Sequence, residues 1–147
     1  MSEQSVFLIT GASKGLGRSI CGILANKGYV VVGLARQSSE LDELDAYLKK
    51  YNGKSCAIAC DLSVPKLVNN TAGEIVKRFP AIHGIIHNAG IIGPVGNIFK
   101  VDEAKWNETL VVNLVSVQQL TRILYPAMIN AGRCSCLLYT SDAADEI

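Results

Sequence analysis

The glycine-rich stretch T-G-A-S-K-G-L-G, at residues 10–17, most constrains the fold that this chain can adopt. The apolar run at residues 6–9 predicts a β-strand before it, and apolar residues at helical spacing over residues 18–25 predict a helix after it. A strand that turns through glycines into a helix brings free N–H groups and the positive end of the helix dipole together, which predicts a phosphate site. The spacing differs from G-x-G-x-x-G, because Ile20 stands where the third glycine would fall.

This variant of the loop resembles the cofactor loop of the short-chain dehydrogenase/reductase family, whose members bind NAD(H) or NADP(H) on a Rossmann fold. Glycines also mark ordinary turns, but here the strand, the loop and the helix stand in register. The resemblance extends over roughly residues 6–133 at the level of the superfamily. It implies cofactor contacts for six loop residues: Gly11, Ser13, Lys14, Gly15, Leu16 and Gly17.

The implied fold is α/β, with a Rossmann-like, doubly wound parallel sheet that is incomplete: four or five strands with helices on both faces. The composition suits this fold, because 49% of the residues are hydrophobic and 18% are charged, whereas an average soluble domain has roughly 25% charged residues. Strands buried on both faces read as continuous apolar runs, and such runs occupy residues 29–35, 55–60 and 82–87. A long helix is predicted over residues 102–130, in two segments, with Pro126 bending or ending its last part.

Charge and cysteine usage exclude several classes of function. A net charge of +1 gives no electrostatic case for binding nucleic acid or an acidic membrane surface, and no apolar run reaches the roughly 18 residues of a membrane helix. The five cysteines show no metal-ligand spacing, so we expect no metal site and interpret them as buried, reduced thiols. With no room for a signal peptide before the first strand, we expect a cytoplasmic protein.

Two cations favour NADP(H) over NAD(H) as the cofactor. In dinucleotide folds, a carboxylate near the end of the second strand bonds the adenine ribose and selects NAD. Here Arg36 follows that strand, and no acid occurs before Glu40. The guanidinium of Arg36 can grip a 2′-phosphate in fork geometry, and Lys14 can reach the same phosphate. The alternative is that Arg36 is simply a solvated residue just past a strand.

Two further turns carry residues that match the family. In the resembled family, an Asp-hydrophobic pair after the third strand contacts the adenine ring, and this chain has Asp61-Leu62 there; Asp61 can equally cap the following turn. The turn Asn88-Ala89-Gly90 matches the family's N-N-A-G motif, which lies beside the cofactor, except that His87 replaces the first Asn. General-base chemistry is one interpretation of His87, but its position in the resembled motif is structural.

Asn113 interrupts the apolar stripe of the long helix. An amide among packed aliphatic side chains must find hydrogen-bond partners or cost about 1–3 kcal/mol. The family places an Asn at this point, where its backbone holds a water in the proton relay to the catalytic lysine. The resemblance therefore implies a proton-relay role for Asn113, and the alternative is a hydrogen-bonded buried Asn without chemistry.

The family's catalytic residues are missing from the sequence. The resembled proteins use a serine at the end of the fifth strand and a Tyr-x-x-x-Lys pair on the next helix, where the lysine lowers the pKa of the tyrosine. No Tyr-x-x-x-Lys follows Asn113: Tyr125 is followed four residues later by Ile129, and the last lysine is Lys105. Ser141 falls near the position of the catalytic serine, but only by coincidence of position.

The last twelve residues differ from the family. Residues 136–139 can imitate its apolar fifth strand, yet residues 136–146 resemble the translation of a transposon-end adapter used in sequencing libraries. We interpret residues 1–135 as the N-terminal part of an NAD(P)-binding Rossmann domain and residues 136–147 as a non-native, adapter-derived tail.

Two functions of different class remain open. The first is an oxidoreductase: the parent protein transfers hydride between NADP(H) and a small carbonyl or alcohol, as a homodimer or homotetramer, while this chain lacks activity. The second is a non-catalytic module that binds a nucleotide or pairs with another subunit. The stretch from His87 to Asn113 also resembles benzil-reductase and sepiapterin-reductase-like members of the family.

The tail hypothesis makes a prediction about the gene. A cloned transcript sequenced across residues 133–136 should diverge from the given sequence near this junction and continue toward a Tyr-x-x-x-Lys pair. Native codons for residues 136–146 in the genome would contradict the hypothesis.

Overall fold

The computed structural model describes residues 4–139, which form a five-stranded parallel sheet with helices on both faces. The strands are β1 (Val6–Thr10), β2 (Val30–Ala35), β3 (Cys56–Ala59), β4 (Gly84–His87) and β5 (Ser135–Leu138). Their order across the sheet is β3-β2-β1-β4-β5. The α-helices are α1 (Gly15–Asn26), α2 (Ser39–Tyr51), α3 (Pro65–Arg78), α4 (Glu103–Leu110) and α5 (Ser116–Asn130). This is the predicted Rossmann-like α/β fold.

Local sequence signals explain where the helices begin. The side chain of Ser38 accepts a hydrogen bond from the N–H of Leu41 at 3.3 Å and so caps α2. Pro65 occupies the first turn of α3, where a missing N–H costs nothing. Asp102 caps α4 by accepting from the N–H of Lys105 at 2.9 Å. These short-range contacts fix the helix starts that face the carboxyl edge of the sheet.

The core consists of two layers, one on each face of the sheet. On one face, α1 and α2 bury Cys21, Ala25, Leu44 and Leu48 against Ile9 and Val31. On the other, α3 and α5 pack against each other and bury Val68, Ile75, Leu120 and Leu124 against Leu8, Val32 and Ile85. Alternate residues of β1 and β2 therefore point into different layers, which makes these strands apolar along their whole length.

The predicted helix over residues 102–130 is divided by a π-helical segment at Val111–Val115. The N–H of Ser116 reaches the carbonyl of Val111, five residues back, while its hydroxyl donates to the carbonyl of Val112 at 2.7 Å. The division lies well before Pro126, which α5 accommodates four residues before its end. The apolar stripe divides in the same way: Leu120 and Leu124 are buried, whereas Trp106, Leu110 and Leu114 are partly exposed.

His87 lies buried between β4 and α5. Its Nε2 is 2.9 Å from the hydroxyl of Thr121, which itself donates to the carbonyl of Val117 at 2.8 Å. Thr121 therefore accepts from His87 Nε2, and Nδ1 is left without a partner among the described residues. Burial lowers the pKa of His87, so the ring is neutral at pH 7. The burial of His87 and its bond to Thr121 are consistent with the structural role implied by its position in the N-N-A-G motif.

All five cysteines were predicted to be buried, but only three of them are. Cys21, Cys56 and Cys60 are buried, and burial raises the pKa of the Cys21 thiol to about 12. Cys134 and Cys136 are exposed, because they lie at and beside β5, whose side chains have no covering layer. The described residues contain no group of three or more side chains that could hold a metal ion. Within the same residues, no helix is long and apolar enough to cross a membrane.

Strand β5 pairs in parallel with β4, in a register that sets Gly84 opposite Ser135 and His87 opposite Leu138. All four of its residues are exposed, and Leu137 and Leu138 keep 54% and 53% of their surface. Its outer edge pairs with no other strand within residues 4–139. Ser141, the residue near the catalytic-serine position, lies outside the described residues.

This exposed edge predicts the behaviour of the isolated chain. Residues 1–147 expressed alone should aggregate or form a molten state, because an open strand edge and apolar side chains both promote association. Size-exclusion chromatography and calorimetry would measure this. A soluble monomer with one sharp, cooperative melting transition would contradict the prediction.

Candidate functional site

The candidate site lies where the order of the strands reverses. The chain runs from β1 outward to β2 and β3, then crosses to the other side of β1 to form β4. Helices leave the carboxyl ends of β1 and β4 on opposite faces, so a crevice opens between them, which is where such sheets bind ligands. A cavity of about 550 Å³ lies there, lined by the loops after the first four strands and by α4.

Hydrogen bonds join the glycine loop to the turn after β4. The Oγ1 of Thr10, a buried residue, accepts from the N–H of Asn88 at 3.1 Å and from that of Ala89 at 3.0 Å. In return, Asn88 Nδ2 donates to the carbonyls of Thr10 at 3.1 Å and Gly11 at 3.3 Å. Thr10 was not among the site residues predicted from sequence; the available signal was its position as the last residue of an apolar strand.

Close packing explains two of the loop glycines. A Cβ added to Gly17 would lie 2.2 Å from the carbonyl oxygen of Gly11 and 2.6 Å from Asn88 Nδ2. Gly11 has a φ of +65°, and a Cβ there would lie 2.9 Å from the Cα of Ala89. Gly15 differs, because a Cβ would meet nothing within 4 Å and only its φ of +54° favours glycine.

The N-terminus of α1 is open toward an anion. Lys14 is its N-cap residue, and no side chain caps this end; the first turn contains no acidic residue. The first N–H groups of a helix have no partner within the helix, and they carry the positive end of its dipole. The glycine loop therefore offers a phosphate both donors and a favourable field.

The structure brings most of the predicted cofactor residues together. Nine of them line the cavity: Gly11, Ser13, Lys14, Arg36, Asp61, Leu62, Asn88, Ala89 and Gly90. Gly15, Leu16 and Gly17 do not line it, and the side chain of Leu16 is 46% exposed. The lining also includes residues that were not predicted from sequence as cofactor contacts, among them Gln37, Ser38, Glu108 and Val112. Gln37 and Ser38 follow the carboxyl end of β2, and Glu108 and Val112 lie on α4 and in the π-helical segment after it. No local sequence motif marks these positions as cofactor contacts.

The charged groups at or beside the cavity include two cations, Lys14 and Arg36, and three carboxylates, Glu40, Asp61 and Glu108. Arg36 is exposed, and Lys14 Nζ lies 2.9 Å from Glu40 Oε1. Asp61 accepts from the N–H and the hydroxyl of Ser63 at 2.9 and 2.7 Å, so it caps the following turn and lines the cavity as well. These bonds, with a smaller effect of the Arg36 charge, lower the pKa of Asp61.

The prediction that Asn113 lies among packed aliphatic side chains is wrong. It is exposed, and its amide makes a two-way pair with Ile91: Nδ2 donates to the Ile91 carbonyl and Oδ1 accepts the Ile91 N–H, both at 2.9 Å. The π-helical segment that contains Asn113 turns its side chain toward the loop after Gly90. The amide therefore fixes the loop beside the cavity, which Ile91 lines.

A family comparison matches nearly the whole chain. The family described as short chain dehydrogenase matches residues 5–146. The chain belongs to this family. A short-chain oxidoreductase of metagenomic origin, solved in complex with NADP, is 29% identical with a TM-score of 0.86, over 95% of this chain and 63% of the other. A short chain dehydrogenase from Shigella flexneri, also complexed with NADP, is 26% identical with a TM-score of 0.83, over 93% and 58%.

The curated relatives of this short-chain dehydrogenase chain are longer than the chain itself. An uncharacterized oxidoreductase of Saccharomyces cerevisiae is 30% identical over 125 residues, which are 84% of this chain and 48% of the relative. The chain spans about half the length of the curated relatives it matches. The predicted family and the predicted fold are thus confirmed, while the resemblance to benzil and sepiapterin reductases stays a prediction.

The residues present fit a dinucleotide. The uncapped helix, the close approach at Gly11 and Gly17, and a cavity large enough for a nucleotide coincide at the reversal of strand order.

The packing of Gly17 gives a testable prediction. In the full-length protein, Gly17→Ala should lower stability by about 1–3 kcal/mol, because the methyl group collides with backbone that cannot move aside. Gly73→Ala is the matched control, since a Cβ there meets nothing within 4 Å, and it should leave stability unchanged or raise it by about 0.5–1 kcal/mol. Urea unfolding measures both variants, and equal midpoints would exclude the collision.

Proposed function

We propose that the full-length protein is an NADP(H)-dependent oxidoreductase that acts on a small carbonyl compound or alcohol. The observation that carries this proposal is that Lys14 and Arg36 line one cavity at the end of β2, where an NAD-selecting carboxylate would otherwise stand. Neighbouring family structures complexed with NADP or NADPH support the same choice.

The bound dinucleotide would supply or accept the hydride. Among this chain's own residues, the N–H groups that begin α1 would hold the diphosphate, and Arg36 and Lys14 would bind the 2′-phosphate. Asp61 and Leu62 would contact the adenine. The turn from Asn88 to Gly90 would support the cofactor through its hydrogen bonds to the glycine loop.

The role proposed for Asn113 is support of the proton relay. Its side chain is occupied by the two hydrogen bonds to Ile91, so the relay contact falls to its backbone, within the π-helical segment. The tyrosine and lysine of the relay would come from a part of the protein that this chain does not contain. We therefore expect residues 1–147 alone to reduce no carbonyl compound with NADPH.

The remaining parts of the proposal concern the whole protein. Residues 1–135 form the N-terminal part of the dinucleotide-binding domain, and residues 136–147 are a non-native tail. The parent protein is a cytoplasmic homodimer or homotetramer. The partly exposed Trp106, Leu110 and Leu114 on and after α4 are candidates for its subunit contacts.

A non-catalytic nucleotide-binding or subunit-pairing module is the second candidate function. It is favoured by the absence of a Tyr-x-x-x-Lys pair after Asn113 in the given sequence. The same transcript sequence that tests the tail also separates the two: a downstream Tyr-x-x-x-Lys supports the oxidoreductase, and a native stop near residue 147 supports the module.

Cofactor preference should respond to Arg36. In the full-length protein, Arg36→Asp should weaken NADPH binding relative to NADH by about 2–4 kcal/mol, because a charge-assisted bond is lost and a repulsion is added. Fluorescence titration with both cofactors measures this. Lys50→Asp, which makes the same charge change in the last turn of α2, should leave the ratio unchanged. An unchanged ratio in the Arg36 variant would remove Arg36 from the site.

A further inference from the structure

One of the two cations proposed to bind the 2′-phosphate already has an anionic partner. Lys14 Nζ lies 2.9 Å from Glu40 Oε1, and the two side chains are 71% and 39% exposed. Glu40 stands in the first turn of α2, and its carboxylate does not line the cavity, whereas Lys14 does. The carboxylate therefore contacts the ammonium group from the first turn of α2, outside the cavity lining.

Further bonds hold Glu40 in this place. Arg18 Nη1 donates to the backbone carbonyl of Glu40 at 2.9 Å, which joins the first turns of α1 and α2. The hydroxyl of Ser39 donates to Glu40 Oε2 at 3.4 Å. The hydrogen bond from Lys14, more than any other contact, lowers the pKa of Glu40 to about 2. Glu40 is thus anionic at pH 7.

A 2′-phosphate and the carboxylate of Glu40 compete for the same ammonium. A phosphate monoester carries between one and two negative charges near pH 7 and accepts strong hydrogen bonds. When it reaches Lys14, the pair with Glu40 must break or be shared, and the two anions repel each other across the ammonium. NAD(H) lacks this phosphate, so it meets no such competition.

We propose that Glu40 is a specificity-determining residue that competes with the 2′-phosphate for Lys14 and so limits the preference for NADP(H) over NAD(H). The inference rests on the proposed NADP(H) function and names a residue that acts against it. Arg36 makes no ion pair among residues 4–139. The two cations therefore differ: Arg36 is available to the phosphate at once, and Lys14 only after it leaves Glu40.

The test is a binding measurement on the full-length protein with four ligands: NADPH, NADH, 2′,5′-ADP and 5′-AMP. The two small nucleotides isolate the 2′-phosphate from the nicotinamide. Glu40→Gln should lower the Kd for NADPH and for 2′,5′-ADP by about 3- to 10-fold, as expected for one partly screened charge. The Kd for NADH and for 5′-AMP should change by less than about 2-fold, and the gain should shrink as salt is added.

Two variants make the result specific. Glu43→Gln removes a carboxylate from the same helix, at an exposed residue without an ion pair in the described part of the chain, and should leave all four Kd values unchanged. In a Lys14→Met background, Glu40→Gln should no longer improve binding of 2′,5′-ADP, because the contested ammonium is gone.

The outcomes separate the two proposals. An equal gain with and without Lys14 would overturn competition for the ammonium, and weaker NADPH binding in Glu40→Gln would show instead that Glu40 positions Lys14 for the phosphate. Wild-type protein that binds NADH but neither NADPH nor 2′,5′-ADP would overturn the proposed cofactor. Tight NADPH binding that is indifferent to Glu40→Gln would overturn only the present inference.

Discussion

The side-chain amide of Asn88 donates to the carbonyls of Thr10 and Gly11, and this contact joins the carboxyl ends of β1 and β4. These are the two strands between which the chain changes direction across the sheet, so the helices that follow them leave on opposite faces and a crevice opens above them. With both carbonyls bonded to the amide, the uncapped N–H groups at the start of α1 remain as donors to a ligand. Gly17 must then be glycine, since its Cα packs against the same carbonyl and the same amide.

The charges beside the crevice form a mixed set rather than a simple basic pocket. Lys14 and Arg36 contribute two positive charges, and Glu40, Asp61 and Glu108 contribute three negative ones. In a mixed set of this kind, cofactor selection depends on which pairs form. Lys14 is weakened for a phosphate by its pair with Glu40, whereas Arg36 makes no ion pair among residues 4–139. The absence of a carboxylate at the end of β2, on which sequence reasoning relied, describes only part of this field.

Short-range signals made much of the fold and the loop predictable. The apolar run of β1 predicts its strand, and the Ser38 cap and Pro65 at the start of α3 likewise act within a few residues. The missed features depend on residues far apart in sequence. The pairing of Asn113 with Ile91 spans 22 residues, and that of Lys14 with Glu40 spans 26. The π-helical segment has no sequence signal of its own, because its residues also suit an ordinary helix.

At strand β5, the requirements for backbone pairing are met, but those for side-chain burial are not. A parallel ladder uses only N–H and C=O groups, so many sequences can extend β4 in the register of Ser135–Leu138. Burial is more selective, because an apolar side chain gains stability only where another layer covers it. Leu137 and Leu138 remain half exposed, whereas Ile85 on β4 is fully buried. Pairing at β5 therefore requires no particular side chains, which is why a sequence that only imitates a native strand can extend the sheet there.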